Sequence, residues 1–327
     1  MEKIIRWGIV GPGKIANKFA LAMKNVKEAE LVAVVSRTME KGKAFADKHN
    51  IKNVFTSYEE MAKSELIDAV YISTPHPFHK PCAEIFLKAK KHVLCEKPIC
   101  VNAKQAKELY KLSTENGVFL MEAMWTRFLP AIKEAQKVVD SGEIGELRGV
   151  EANLCYSITS EEDPKIFKND MAGGSLLDVG VYGLNFSAIF LGDNPESVIA
   201  TSDINNGVDY HTNVLIKYPN GTIASVSSAT TVIKPGTGYI YGTRGYISLP
   251  CFCGAQKLIV VNCNDEERDI SKPSIGDGFE EEIIEACSCI LSGKTESDVM
   301  PMNESIRILE QMDYIRNQIG LKFPFDE

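Results

Sequence analysis

In the stretch VLCEKPIC, Val93 to Cys100, a short apolar run ends in an acid, a base and a proline. A run of this length reads as a buried strand, so Glu96 and Lys97 stand where that strand reaches the surface, and Pro98 restricts how the chain leaves it. An ammonium held in such a turn can hydrogen-bond to a reacting hydroxyl or exchange a proton with it. A second pair of polar residues lies further on. Asp178 and Tyr182 are four apart in a stretch that reads as a helix, so they share one face, while Gly180 and Gly183 lie on another and permit close packing.

The elements that must position these groups follow two grammars. The first third alternates short apolar runs (Ile4–Val10, Leu31–Val35, Ala69–Ser73, His92–Cys95, Val118–Met121) with helical patterns (Ile15–Asn25, Lys41–His49, Pro81–Ala89, Ala103–Asn116). This predicts a parallel sheet covered on both faces, with Asn102 as N-cap and Gly117 as C-cap of the last helix. After about Glu122 the pattern changes. A helix over Leu129–Asp140, a strand over Leu147–Tyr156 and a helix opened by Gly173-Gly174 precede two hairpins, His211–Tyr218 with Thr222–Thr230 and Tyr239–Gly242 with Tyr246–Leu249. Helices over Phe279–Leu291 and Asn303–Ile319 close the chain. The expected architecture is α/β: a Rossmann parallel sheet over 1–122, then an α+β domain over 123–327 with a large, mostly antiparallel open sheet. With no long linker, the two are expected to pack closely around a cleft.

Gly11-Pro12-Gly13-Lys14-Ile15-Ala16 is a G-x-G-x-x-A between the first strand and the first helix. Gly11 permits a tight turn, Gly13 lets the backbone approach a pyrophosphate, Lys14 and Ile15 open the helix whose N-terminus faces the negative charge, and Ala16 keeps helix and strand close. An NAD site carries an acid at the end of the second strand to hold the ribose diol. Here Ser36 and Arg37 occupy that position, with Lys41 one turn on, which suits a 2′-phosphate and favours NADP(H); a solvated surface Arg37 is the alternative. Ligands gather at the carboxyl ends of such a sheet, so Thr74 and His79 after the third apolar strand and Glu96 and Lys97 after the fourth converge on the nicotinamide. Beside a nicotinamide that becomes cationic on oxidation, Lys97 is less easily protonated than a free lysine.

The phosphate loop, Ser-Thr-Pro-x-x-x-His at 73–79, Glu-Lys-Pro at 96–98, GGSLLDVGVY at 173–182 and Gly-Thr-Arg-Gly at 242–245 together resemble the Gfo/Idh/MocA oxidoreductase family over essentially the whole chain. MEAMWTRF at 121–128 is similar to the branch that contains dimeric dihydrodiol dehydrogenase and NADP-dependent D-xylose dehydrogenase. The resemblance implies hydride transfer at a carbon of a sugar or cyclic diol, and a C-terminal sheet that shapes the substrate site and mediates dimerisation. The family commonly carries histidine where this chain has Tyr182, as its branch does. The acid/base role then falls to a phenol, with Lys97 as its electrostatic partner and an orienter of substrate, and Asp178 either as an orienter behind the reacting groups or as a ligand of a substrate hydroxyl; a structural Asp178–Tyr182 pair is the alternative. Trp125 and Arg127, after the fifth strand, read equally as substrate-site residues or as core and salt-bridge residues. Phe279 reads first as core and second as another aromatic wall. The same residues serve a keto-sugar reductase running in the opposite direction. A nucleotide-sensing regulator without chemistry is a further reading, against which Lys97, Asp178 and Tyr182 all argue.

Composition bounds the rest. A formal charge of -8 argues against a nucleic-acid partner, and no apolar run reaches the length of a membrane span. Nine cysteines are scattered through apolar segments, and neither Cys251-x-Cys253 nor Cys287-x-Cys289 is a CxxC with histidines nearby. They read as free thiols of a cytoplasmic protein, with no metal and no disulfide expected. An apolar sheet face without its own helices must be buried somewhere, so a homodimer is expected.

Overall fold

Val10, Val34, Val35, Val70 and Leu94 have no solvent-exposed surface, because every strand that carries them is covered on both sides. The computed structural model describes residues 3–192 and 194–326 and divides into two compact units. The first holds the residues up to Trp125 together with Ile275–Ile306; the second holds Thr126–Ser274 and the residues from Arg307 on.

In the first unit β1 (Ile5–Val10), β2 (Ala29–Val35), β3 (Asn53–Phe55), β4 (Ala69–Ile72), β5 (His92–Glu96) and β6 (Leu120–Ala123) form one parallel sheet in the order β3-β2-β1-β4-β5-β6. This is the doubly wound order, with its switch point between β1 and β4. The crossovers are α1 (Lys14–Ala22), α2 (Met39–His49), α3 (Tyr58–Lys63), α4 (His79–Lys88) and α5 (Ala103–Asn116). Asn102 accepts from the Gln105 amide and Gly117 takes φ +64°, so α5 starts and stops as its sequence signals.

The second unit contains α6 (Pro130–Asp140), β7 (Leu147–Cys155), α7 (Val181–Leu191), β8 (Ser197–Asn205), β9 (Val208–Lys217), β10 (Ile223–Ala229), β11 (Gly238–Gly242), β12 (Gly245–Leu249), β13 (Lys257–Asn262) and β14 (Glu267–Ser271). The strands make one sheet in the order β14-β13-β12-β11-β7-β10-β9-β8, antiparallel except for β7 beside β10. Both expected hairpins form. A Cβ on Gly183 would stand 2.5 Å from Val226 Cγ1, and one on Gly180 would stand 3.1 Å from Ser228 Oγ, so the glycine face of this helical segment lies directly on β10. The opposite sheet face exposes Ile199, Leu215 and Ile223 and carries Tyr239 stacked on Tyr241, with Tyr246 tilted against both. Residues 169–191 have the length and composition of a membrane span, but 72% of the apolar window is buried inside the fold, which makes it a core segment.

Several details differ from the sequence reading. The short β3 makes the Glu-Lys-Pro strand the fifth rather than the fourth, and β6 starts two residues later than expected. The segment Ile275–Ile306, expected in the second domain, packs with the first unit. Its α8 (Phe279–Leu291) lies against α1 and the 3-10 turn that follows it, where Asn25 donates to Glu280 Oε1 at 2.8 Å, and Leu120 N–H donates to the Thr295 carbonyl at 3.0 Å. The final helix is α9 (Met302–Ile319).

Candidate active site

At the end of β1 the backbone turns through Gly11 at φ +88°, where a Cβ would also stand 3.0 Å from the Thr74 methyl. Gly13 N-caps α1, and no atom lies within 4 Å of where its Cβ would be. The positive end of α1, with Lys14 and Ile15 in its first turn, therefore borders open space at the sheet's carboxyl edge. A pyrophosphate fits that cradle. At the end of β2, Ser36 is buried with its amide on the Phe55 carbonyl at 3.1 Å, and Arg37 next to it is exposed. A hydroxyl and a guanidinium with no carboxylate at this strand end suit a phosphorylated ribose.

The turn after β5 contains a cis Lys97–Pro98 peptide and is held from three sides. The fully buried His79 faces the Thr74 carbonyl at 2.7 Å and the Pro98 carbonyl at 2.8 Å, joining the ends of β4 and β5. Burial pushes its pKa down to about 4 against the pull of those two carbonyls, so the ring is neutral near pH 7 and donates through one nitrogen. Glu122 Oε1 accepts from Ile99 N–H at 3.1 Å. Glu96 accepts from Lys97 N–H at 3.2 Å and takes the Tyr71 hydroxyl on its other oxygen. None of these bonds uses the Lys97 ammonium. Burial raises the pKa of Glu96, while the Lys97 charge opposes the shift. Within the electrostatic reach of Glu96 lies Glu282 of α8, which has no exposed surface and no hydrogen-bond partner on either carboxyl oxygen. Burial first and the Glu96 charge next push its pKa well up, which favours the neutral acid.

Trp125 follows β6 in a short 3-10 turn and stacks on Phe279, with ring centroids 4.9 Å apart. Phe279 is 3% exposed, so it backs the indole. In the second unit Arg127 is buried and donates through Nε–H to Asn185 Oδ1 at 3.0 Å, which ties this turn to α7.

Asp178 sits in a π turn, Leu176–Gly180, and Tyr182 in the first turn of α7. From Ala172 to Ala188 these two are the only residues that are not buried. Tyr156, immediately after β7, donates its phenol proton to Asp178 Oδ2 at 2.5 Å, and Tyr182 is close enough to act on the same phenol. Burial and then the Asp178 charge push the Tyr156 pKa far above its ordinary value, so Tyr156 remains a donor. Two tyrosines and a carboxylate thus form one cluster where this otherwise buried stretch opens, and π turns of this kind recur at functional sites.

The first unit therefore gathers Gly11, Gly13, Thr74, His79, Glu96 and Lys97 at adjacent strand ends, with Ser36 and Arg37 at the next one, while Asp178 and Tyr182 gather in the second. Sequence reasoning missed Tyr156, whose signal was an aromatic closing the predicted strand Leu147–Tyr156. It also missed Glu282, which in FEEEIIEA looks like one more acid favouring a helix N-terminus.

Residues 5–124 match the oxidoreductase family with an NAD-binding Rossmann fold, and residues 132–248 match the GFO/IDH/MocA C-terminal domain. Trans-1,2-dihydrobenzene-1,2-diol dehydrogenase of Mus musculus is 36% identical, with 99% of each chain covered, and that of Homo sapiens is 34% identical with the same coverage. Among solved structures, the fold is similar to a 3-ketoreductase from Actinomadura kijaniata in complex with NADP and TDP-benzene (TM-score 0.89, 24% identity) and to aldose-aldose oxidoreductase from Caulobacter crescentus complexed with glycerol (TM-score 0.89, 23% identity). Each comparison covers 97% of this chain and 98% of the other.

Proposed function

This chain belongs to the GFO/IDH/MocA family of oxidoreductases, and within that family we propose that it is an NADP-dependent dehydrogenase of a cyclic sugar or vicinal diol, of the aldose or trans-dihydrodiol type. The observation that carries this reading is the pair Asp178 and Tyr182, the two residues between Ala172 and Ala188 that are not buried, in a chain 36% identical to a dihydrodiol dehydrogenase over nearly its whole length.

The bound cofactor supplies the hydride acceptor. Gly11, Gly13 and the amides opening α1 at Lys14 and Ile15 receive its pyrophosphate, and Ser36 with Arg37 receives the 2′-phosphate that distinguishes NADP. Thr74, Glu96 and Lys97 belong to the strand ends that border the nicotinamide, and His79 acts on that border by holding two of the turns together. Tyr182 takes the proton of the substrate hydroxyl, and Lys97 lowers the phenol's proton affinity and orients that hydroxyl. Asp178, fixed by Tyr156, orients the substrate. Trp125, braced by Phe279, lines one side of the ring, and Arg127 braces the turn from which Trp125 projects. The same groups run the reaction in reverse as a keto-sugar reductase. The exposed apolar face of the second sheet serves as a homodimer contact, and a chain with nine cysteines, most of them buried, suits a reducing cytoplasmic setting.

The test is a panel of trans-dihydrodiols and cyclic aldoses offered with NADP and with NAD, together with keto-sugars offered with NADPH, followed by nicotinamide absorbance. Turnover of at least one diol or aldose, faster with NADP, is expected. NADPH binding seen by fluorescence without turnover across the panel would replace this reading with a nucleotide sensor.

A further inference from the structure

Asp209 lies on β9, 34 residues after Ser175, and it is completely buried. One of its carboxylate oxygens, Oδ2, receives three donors, each at 2.7 Å: the Ser175 hydroxyl, the Leu176 amide and the Thr212 hydroxyl. Ser175 and Leu176 are the N-cap and first residue of the π turn in which Asp178 sits. Ser175 Oγ also lies 3.1 Å from Ser228 Oγ on β10, so the start of this turn is fastened to two strands. The other oxygen, Oδ1, has no hydrogen-bond partner and faces Gly174. A Cβ on Gly174 would stand 2.1 Å from it, and Gly174 takes φ +109°. The glycine at this position is what lets the carboxylate reach the turn.

A buried carboxylate with an orphan oxygen is costly, and apolar packing would hold a helix end more cheaply. A π turn, however, is a rare and less regular conformation than the α-helix it interrupts. A charged acceptor that takes both the first amide and the cap hydroxyl fixes where the turn begins, and with it the direction in which Asp178 and then Tyr182 emerge.

We propose that Asp209 is the positioning residue of the catalytic helix, holding Ser175 and Leu176 so that Asp178 and Tyr182 face the substrate. The inference rests on the proposed roles of Asp178 and Tyr182. Asp209→Asn keeps the shape, but it replaces the charge with an amide whose two N–H groups would point where Gly174 offers no acceptor. A displacement of about an ångström at reacting groups costs up to ~10²-fold in rate, so kcat should fall ~10- to 100-fold. The cofactor dissociation constant should hold within about twofold, because the phosphate loop is in the other unit. Ser175→Ala removes one of the three donors with little change in volume and should lower kcat roughly three- to tenfold. The double variant should be no slower than Asp209→Asn alone, because the two residues act as one unit.

Tyr182→Phe is measured alongside. If it keeps its turnover, the reading of the site falls and this inference falls with it. If Tyr182→Phe is inactive while Asp209→Asn and Ser175→Ala turn over normally, only the inference is overturned. A kcat loss that follows a loss of folded protein in thermal melts, or that multiplies in the double variant, also overturns it. Should Asp209→Asn not fold, Ser175→Ala decides by its kcat.

Discussion

Replacing Lys97 with methionine is the perturbation that most directly tests the proposed chemistry. The stem length survives and the charge does not. The turn that carries Lys97 is held through backbone groups and other side chains: the Pro98 carbonyl on His79, the Ile99 amide on Glu122 and the Lys97 amide on Glu96. All of these remain in Lys97→Met, so the substitution should leave the turn in place. Cofactor should bind within several-fold of the native protein, since Gly11, Gly13, Ser36 and Arg37 are untouched. What is lost is the ammonium beside the reacting hydroxyl. A positioned acid/base group contributes ~10²–10⁴ in rate, or about 3–5 kcal/mol of barrier at 1.36 kcal/mol per decade. NADPH fluorescence titration reads the binding, and single-turnover kinetics with an active diol or aldose read the chemistry. Tyr182→Phe should lose a similar factor, and the double variant should be little slower than either single one. A Lys97→Met protein that binds NADP and turns over at near the native rate refutes the mechanism.

Arg37→Ala should weaken NADP by roughly 10- to 100-fold, the ~1.5–3 kcal/mol of a charge-assisted contact, and leave NAD nearly unchanged; equal losses would remove the 2′-phosphate from the argument. Gly13→Ala should fold normally, since its φ of -100° suits alanine and its Cβ meets nothing, yet lose cofactor affinity by about tenfold or more because the methyl enters the phosphate space. Gly11→Ala should instead lower stability by ~1–3 kcal/mol, as its φ is positive and Thr74 is in the way; thermal melts with and without NADP separate the two. Light scattering should give twice the 36.1 kDa of one chain, and Leu215→Glu with Ile199→Glu should halve it, whereas a native monomer would deny the apolar sheet face its role. Burial lifts the pKa of Asp209 from 3.8 to about 6, so the folded state holds this proton more tightly than the unfolded chain. Its contribution to stability is complete below pH 3.8 and disappears as pH rises through about 6, a change of about 3 kcal/mol that Asp209→Asn should abolish in denaturant melts between pH 4 and 7. Parallel curves for the two proteins would count against it.

The alternation of apolar runs and helices made the first sheet legible, because a strand buried on both faces announces itself by composition alone. The loop at Gly11 and Gly13, the Lys97 turn and the shared face of Asp178 and Tyr182 were legible for a related reason: each depends on residues close in sequence. What stayed hidden depends on partners far apart. The parallel pairing of β7 with β10 joins strands about seventy residues apart, and nothing local encodes it. β14, with the sequence ERDIS, is exposed along most of its length and so lacks the alternation that marks a half-buried strand. The π turn at Leu176–Gly180 has the same composition as an α-helix. Tyr156 met Asp178, and Asp209 met Ser175, only once β7 and β9 had found their places in the sheet. Glu282 is one of three acids in the first turn of its helix, and only the position of α8 buries it.

The return of Ile275–Ile306 to the first unit has a consequence for biosynthesis. A ribosome adds roughly 5–20 residues per second, so some tens of seconds at the slower rate, and about eight at the faster, separate Trp125 from Ile275. During that interval the nascent Rossmann half lacks the helix that covers Trp7 through Cys287 and the strand-edge carbonyl at Thr295. Its apolar surface is bare while the second sheet is being made, which is the condition that recruits chaperones or seeds aggregation. Fragments that stop short of residue 275 should therefore be insoluble or chaperone-bound even though they contain every residue of the cofactor cradle, and a nucleotide-binding module cannot be cut from this chain at Trp125.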